Sequence, residues 1–234
     1  TQSLSRLETN AQTAGNSFSN VQSNFKSFVA LTNQADSSAE ALANLLQTGF
    51  DDAAITQAVE ALSGAVIAFP DTLSIESLAD GLQETLAVGE ATGQFGELLD
   101  RLGIGAESFS EQLANVSTQA EKQQLVLDTL ANAGLNSLYQ KYAEANAATL
   151  AFNQAQLELD MALSNFVQAT LPLFSEGLSQ FSSGVLSLSE TFKTGGLSAV
   201  FDALKAQLDA FLSDIAENTD LYMDTGFQIL EGMA

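Results

Sequence analysis

The sequence predicts an all-α chain, with elongated helices bearing coiled-coil seams at both ends and a small bundle of shorter helices between them. Three observations carry this prediction. Only two prolines, Pro70 and Pro172, interrupt 234 residues. The remainder is weighted towards Ala, Leu, Gln and Glu, which are good helix formers. Apolar residues recur at steps of three and four rather than two, the period of a helix face.

The first expected element, residues 1–48, is the most regular. Leu4, Leu7, Ala11, Ala14, Phe18, Val21, Phe25 and Phe28 alternate steps of three and four, and the 17 residues between them are all polar or Gly. A globular amphipathic helix shows a wider stripe, whereas a row confined to a and d positions is a coiled-coil seam. The register continues through Thr32, Ala35, Ala39, Leu42 and Leu46. One unbroken helix over that span would be about 65 Å long. The seam is expected to hold copies of the chain together.

Residues 49–142 read as a globular region of shorter helices, broken by Phe69-Pro70-Asp71 and by the glycines between Gly89 and Gly105. Serine or threonine three residues before glutamate marks possible capping boxes at Ser5 with Glu8, Ser37 with Glu40, Ser108 with Glu111 and Thr118 with Glu121. Phe95, Leu98, Leu99 and Leu102 would form the buried face of one short helix. A long helix is expected from about Lys141 to Leu171, with Leu150, Leu157 and Met161 on one stripe and Phe152, Leu159 and Phe166 on another, so that both faces are buried. Residues 173–234 repeat the three-four spacing: Phe174, Leu178, Phe181, Val185, Leu188 and Phe192, then Leu197, Phe201, Leu204, Leu208, Phe211 and Ile215. Gly195-Gly196 separates the two runs. A compact bundle and a coiled-coil assembly are equally good readings of these runs.

Composition narrows the chemistry. The chain has no Cys, His or Trp, which excludes a disulfide framework, imidazole or thiolate metal sites, and Cys or His catalysis. No cofactor is expected. Twenty-nine acidic against seven basic residues give a net charge of −22, which repels nucleic-acid phosphates and anionic lipid. No stretch is both apolar and long enough to span a bilayer. The chain opens on Thr1 without a signal-peptide pattern, and a portion of a longer polypeptide and a short complete form are both open readings.

Several motifs have a functional and a structural reading. Gly89, Gly93, Gly96, Gly103 and Gly105 lack the Lys-Ser/Thr of a P-loop and a preceding strand, so they are read as ending or joining short helices. Asp51-Asp52 and the row Glu76, Asp80, Glu84 offer carboxylates, but a row on one helix is not the pair across a cleft that glycoside chemistry needs. Tyr139 and Tyr142 beside Lys141 are read as core or interface residues. A carboxylate enzyme on a helical scaffold is therefore the weakest reading. A helical pore-forming or adhesion protein is the main alternative, with Leu62 to Phe69 as its short apolar candidate for entering lipid.

The successions SLADGLQETLAVGEATGQFGELLDRLGI at Ser77 to Ile104, and SFSEQLANVSTQAEKQQLVLDTLANAGLNSLYQKYAEANAATLAFNQAQLELDMALSNFVQATLPLF at Ser108 to Phe174, resemble the tail tape-measure proteins of tailed bacteriophages. The likeness lies in style and order from near Ala39 to Phe174. It implies a structural, non-enzymatic role in the tail lumen, after assembly in the host cytoplasm: several copies, a trimer or hexamer, lie along the tail axis while tube subunits polymerise around them. Tail-tube and distal-tail or baseplate proteins would be the partners, with no stable nucleic-acid contact and membrane contact only during ejection. The chain departs from the family in being short and in lacking a strongly apolar segment or a peptidoglycan-cleaving domain.

The residues expected to join copies are Leu4, Leu7, Phe18, Val21, Phe25 and Phe28 at one end, and Leu178, Phe181, Leu188, Phe192, Leu204, Leu208 and Phe211 at the other. On this reading, truncating Phe18 and Phe25 to Ala loosens the oligomer while the middle region stays folded. An unchanged mass in solution contradicts it.

Overall fold

Helix follows helix throughout the computed structural model, which describes residues 2–170. The order is α1 (Gln2–Ala14), α2 (Phe18–Thr32), α3 (Ala35–Leu46), α4 (Asp52–Ala68), α5 (Ile75–Val88), α6 (Gly93–Arg101), α7 (Ala106–Ala114), α8 (Gln119–Asn132), α9 (Leu135–Ala145) and α10 (Ala147–Thr170). The all-α prediction therefore holds for the described residues. The C-terminal runs from Phe174 to Ile215 lie outside them.

The expected single N-terminal helix is instead three. Gly15 turns the chain after α1 at φ 81, and Ser17 caps α2 by accepting the N–H of Asn20 at 3.2 Å. Asn33 closes α2 in the left-handed region at φ 55, a conformation that Asn tolerates better than other residues with a Cβ. The apolar period survives both breaks, so periodicity alone did not reveal them. Of the four expected capping boxes, Thr118 with Glu121 is formed in full at the start of α8. Ser5, Ser37 and Ser108 lie inside α1, α3 and α7. The caps in use elsewhere are Ser17, Asp51 and Ser74.

The most enclosed element is α4. Ala61, Leu62, Ser63, Gly64 and Ala65 are all buried, and since five successive residues point in every direction around a helix, this turn of α4 is covered on all sides. It packs against α2, α3, α5, α8 and α9. It ends at Phe69, ahead of Pro70, because a residue before proline is disfavoured in the helical region. Its closest neighbour is α9. A methyl group on Gly64 would run into the carbonyl of Leu135, so only glycine lets the two helices approach this closely. Asn136 fastens the crossing by donating from Nδ2 to the carbonyl of Gln57 at 2.9 Å.

Around this axis α3 packs on α5, α1 lies against α2 and α3, and α5 packs on α6. A Cβ at Gly81 of α5 would meet the Thr92 carbonyl and the Phe95 amide at 2.9 Å, a second approach that depends on glycine. In α6, Phe95, Leu98 and Leu99 are fully buried and Leu102 packs partly against the core, as the sequence predicts. Phe95 meets Phe109 of α7 edge to face, with centroids 6.0 Å apart.

The long helix begins later than expected. Asn146 leaves helical geometry at φ −116, ψ 22 and separates α9 from α10. The first half of α10 is joined to α2 by Lys26 and Glu158 at 2.6 Å and by Asn153 Nδ2 donating to the Ala30 carbonyl at 2.7 Å. Leu157 packs against the core, while Phe152 on the other expected stripe keeps 48% of its surface exposed. By packing, Thr1–Leu159 makes one unit and Asp160–Ala234 another. The boundary expected between 48 and 49 falls inside the first unit, because α3 is packed against α5.

Replacing Gly64 with Ala is expected to force α4 and α9 apart and to destabilise the fold by about 3 kcal/mol or more, since backbone cannot yield as a side-chain tip can. A urea midpoint unchanged from the parent chain would contradict this crossing.

Candidate functional site

The residues singled out for chemistry turn out to be local fasteners. Asp51 caps α4, its Oδ1 accepting the N–H of Ala54 at 2.8 Å. Asp52 reaches across to the break between α1 and α2: its carboxylate accepts the Ser17 N–H at 3.1 Å and an Asn16 Nδ2 hydrogen at 3.1 Å. A carboxylate at a helix start stabilises the unsatisfied N–H groups there. Thr56 extends the contact. Its Oγ1 accepts from Asn20 Nδ2 and Asn24 Nδ2, both at 3.1 Å, and donates to the Asp52 carbonyl at 3.0 Å. This polar cluster joining α2 to α4 was not anticipated, since Asn and Thr spaced more than 30 residues apart give no pattern along the chain.

The remaining acids do not converge. Glu76, Asp80 and Glu84 follow one another along α5, and Glu84 accepts from Thr92 Oγ1 at 3.1 Å. Among the described residues no group of three or more carboxylates gathers as a metal site would require. Gly89 ends α5 at φ 83, while Gly103 and Gly105 turn the chain between α6 and α7 at φ 74 and 85. Gly93 and Gly96 belong to α6 itself. Burial raises the Tyr139 hydroxyl above its ordinary pKa, opposed by a hydrogen bond with Ser27 and aided by the charge of Glu60.

The N-terminal row is buried within its own chain. Leu7 is 1% exposed, Phe25 2%, and Val21 and Phe28 are fully covered. All four belong to one core cluster with Leu42, Ile55 and Leu62. Leu4 packs at its margin and Phe18 is half-buried. The surface expected to join copies is therefore occupied by α3, α4 and their neighbours. Leu178, Phe181, Leu188, Phe192, Leu204, Leu208 and Phe211 lie outside the described residues.

Open grooves lie on the surface of the first unit. One of about 390 Å³ separates α1 from α3 and is lined by Arg6, Asn10, Asp36, Glu40 and Ala43. A wider one of about 680 Å³ lies between the end of α5, α7 and the start of α8, floored by Ala91, Leu113 and Val116 and edged by Glu90, Glu111 and Lys122. Val88, 59% exposed, stands at its rim. No protein-family model, curated protein or solved structure matches the chain.

At the start of α8 the Glu121 carboxylate accepts the Thr118 N–H at 3.0 Å, the Thr118 hydroxyl at 2.9 Å and the Ser117 N–H at 3.2 Å. These bonds, the Thr118 N–H first, hold its pKa below the usual carboxylate value. A group with a depressed pKa stabilises the fold fully above its unfolded value and loses that contribution as pH falls through the folded one. Glu121→Gln is thus expected to lower the melting temperature at neutral pH, with the difference shrinking in acid. A difference that does not vary with pH would contradict the cap. Phe25→Ala is expected to cost about 3–5 kcal/mol of unfolding free energy in the isolated chain. A denaturation midpoint that does not move would return Phe25 to the surface.

Proposed function

We propose that the chain is a tail tape-measure protein of a tailed bacteriophage, as a segment or a short form, whose length sets tail length and which templates assembly of the tail tube. Its role is structural and non-enzymatic, in the tail lumen, with further copies of itself and with tail-tube and distal-tail or baseplate proteins as partners. The observation that carries the reading is the succession of segments from near Ala39 to Phe174 that resembles that family. Within the described residues the resembling stretches fall largely on helices: residues 77–104 cover most of α5 and all of α6, and residues 108–170 run from within α7 to α10. Asp51, Asp52 and Glu84, the acids singled out from the sequence, are engaged as caps and fasteners, which is compatible with a structural part. The strong negative charge suits a protein that shares the tail with DNA and must not adhere to it.

The packing qualifies how such a segment would measure length. Helices lying side by side do not add about 1.5 Å per residue to a ruler. Residues 2–159 would therefore act as a folded module attached to a ruler for as long as they stay packed. The pore-forming reading has less support. Leu62, Gly64 and Ala65, within its candidate segment, are buried in the middle of the core, and among the described residues no helix is long and apolar enough to cross a membrane.

In the phage that encodes this chain, in-frame removal of residues 2–159 is expected to abolish tails or alter their length, seen by negative-stain electron microscopy. Intact tails of unchanged length would contradict the proposal.

A further inference from the structure

The groove between the end of α5, α7 and the start of α8 combines an apolar floor with an acidic rim. Leu113 and Val116 lie at its base, and Val88, 59% exposed, carries the apolar surface out to the edge. Glu90, Glu107 and Glu111 stand around it, and none of the three forms an ion pair among the described residues. Glu107 and Glu111, four residues apart on α7, share one face of that helix. The carboxyl ends of α5 and α7 both reach the groove, at Val88 and Ala114, and neither helix has a basic residue in its last turn. Such ends favour a cation. One already stands at α5: the Lys122 ammonium lies 3.6 Å from where a Cβ on Gly89 would be.

The walls are held without an occupant. Ser110 Oγ accepts the Ala91 N–H at 2.9 Å and donates to the Ala106 carbonyl at 2.7 Å, which ties the turn after α5 to α7. Phe109, fully buried against Phe95, anchors α7 from beneath. A groove formed in advance loses little freedom on binding.

Charge decides what can cover it. A second copy brings a further net charge of −22, and residues 171–234 carry nine acidic side chains against Lys193 and Lys205. These two lysines are the closest pair among the seven basic residues of the chain, too far apart to share neighbouring turns of a helix. No segment of this chain can therefore set two cations against Glu107 and Glu111. There is no strand among the described residues for an extended peptide to join, and no aromatic side chain lines the groove as a proline-rich ligand requires. A helix laid in the groove is the mode that fits.

We propose that this groove binds a basic amphipathic helix of a different protein, with aliphatic side chains over Leu113 and Val116 and Lys or Arg against Glu90, Glu107 and Glu111. The inference goes beyond the tail reading and does not rest on it.

The test titrates the isotope-labelled full chain with a synthetic peptide of about 15 residues, roughly four helical turns, that carries Leu along one face and Lys on its flanks. Amide NMR is expected to show saturable binding with the largest shifts at Val88, Gly89, Glu111 and Val116. Glu107→Lys with Glu111→Lys is expected to weaken binding about tenfold or more, while Glu8→Lys with Glu144→Lys, at exposed acids elsewhere, changes the net charge equally and alters it by no more than about twofold. A peptide with Gln in place of Leu and every Lys kept is expected to bind about tenfold more weakly. Shifts spread over the acidic surface, equal losses for the two charge-reversed pairs, or a glutamine peptide that binds as well, overturn the proposal. So does the absence of saturable binding. Groove amides that shift when the chain alone is diluted would make a second copy the occupant, and overturn it too.

Discussion

Everything in the first unit is arranged around the enclosure of α4. A helix buried on all sides must be met by partners from several directions, and α2, α3, α5, α8 and α9 supply them. The tightest meeting, Gly64 against Leu135, fixes how near α9 lies and hence where α8 can pack. Dispersion at such a crossing falls off steeply with a gap of even half an ångström. Polar residues contribute at the margins: Asp52 accepts the Ser17 N–H at the junction of α1 and α2, while Asn136 and Thr56 add side-chain hydrogen bonds between α4 and its neighbours.

That enclosure decides the fate of the N-terminal row. A narrow apolar stripe has to be covered, and hydrophobic burial does not distinguish a neighbour in the same chain from one in another. Here α2 turns its stripe onto α4, with Val21 and Phe28 fully covered, and the Asn20, Asn24 and Thr56 cluster sets the register of the two helices. The chain thus uses internally a pattern that a coiled coil would use between copies.

The sequence made the helical class legible, because composition and period agree over the whole length. It also located the Thr118 and Glu121 cap, where the motif lies directly ahead of an apolar run, and the buried face of α6 at Phe95, Leu98 and Leu99. It did not disclose the breaks at Gly15 and Asn33, since the heptad phase passes through them unaltered. The serines at 5, 37 and 108 carry the same cap motif inside helices, where a spacing of three residues is satisfied without any terminus. Leu62 to Phe69 looked like the one stretch suited to lipid for the same reason that it is buried: few of its side chains are polar. The roles of Asp51 and Asp52 required three dimensions, because Asp52 serves a helix that begins 34 residues earlier. For the candidate site, the spacing shows an apolar row that must be covered, but which surface covers it is not written in the spacing.

Native-state hydrogen exchange at two protein concentrations tests most directly whether the N-terminal row is covered by its own chain. Covering by α3 and α4 predicts that amides near Val21, Phe25 and Phe28 are as well protected as those near Leu62, and that dilution leaves both unchanged. Protection of α2 that falls on dilution while that of α4 persists would mean that another copy covers the row, and would contradict the account.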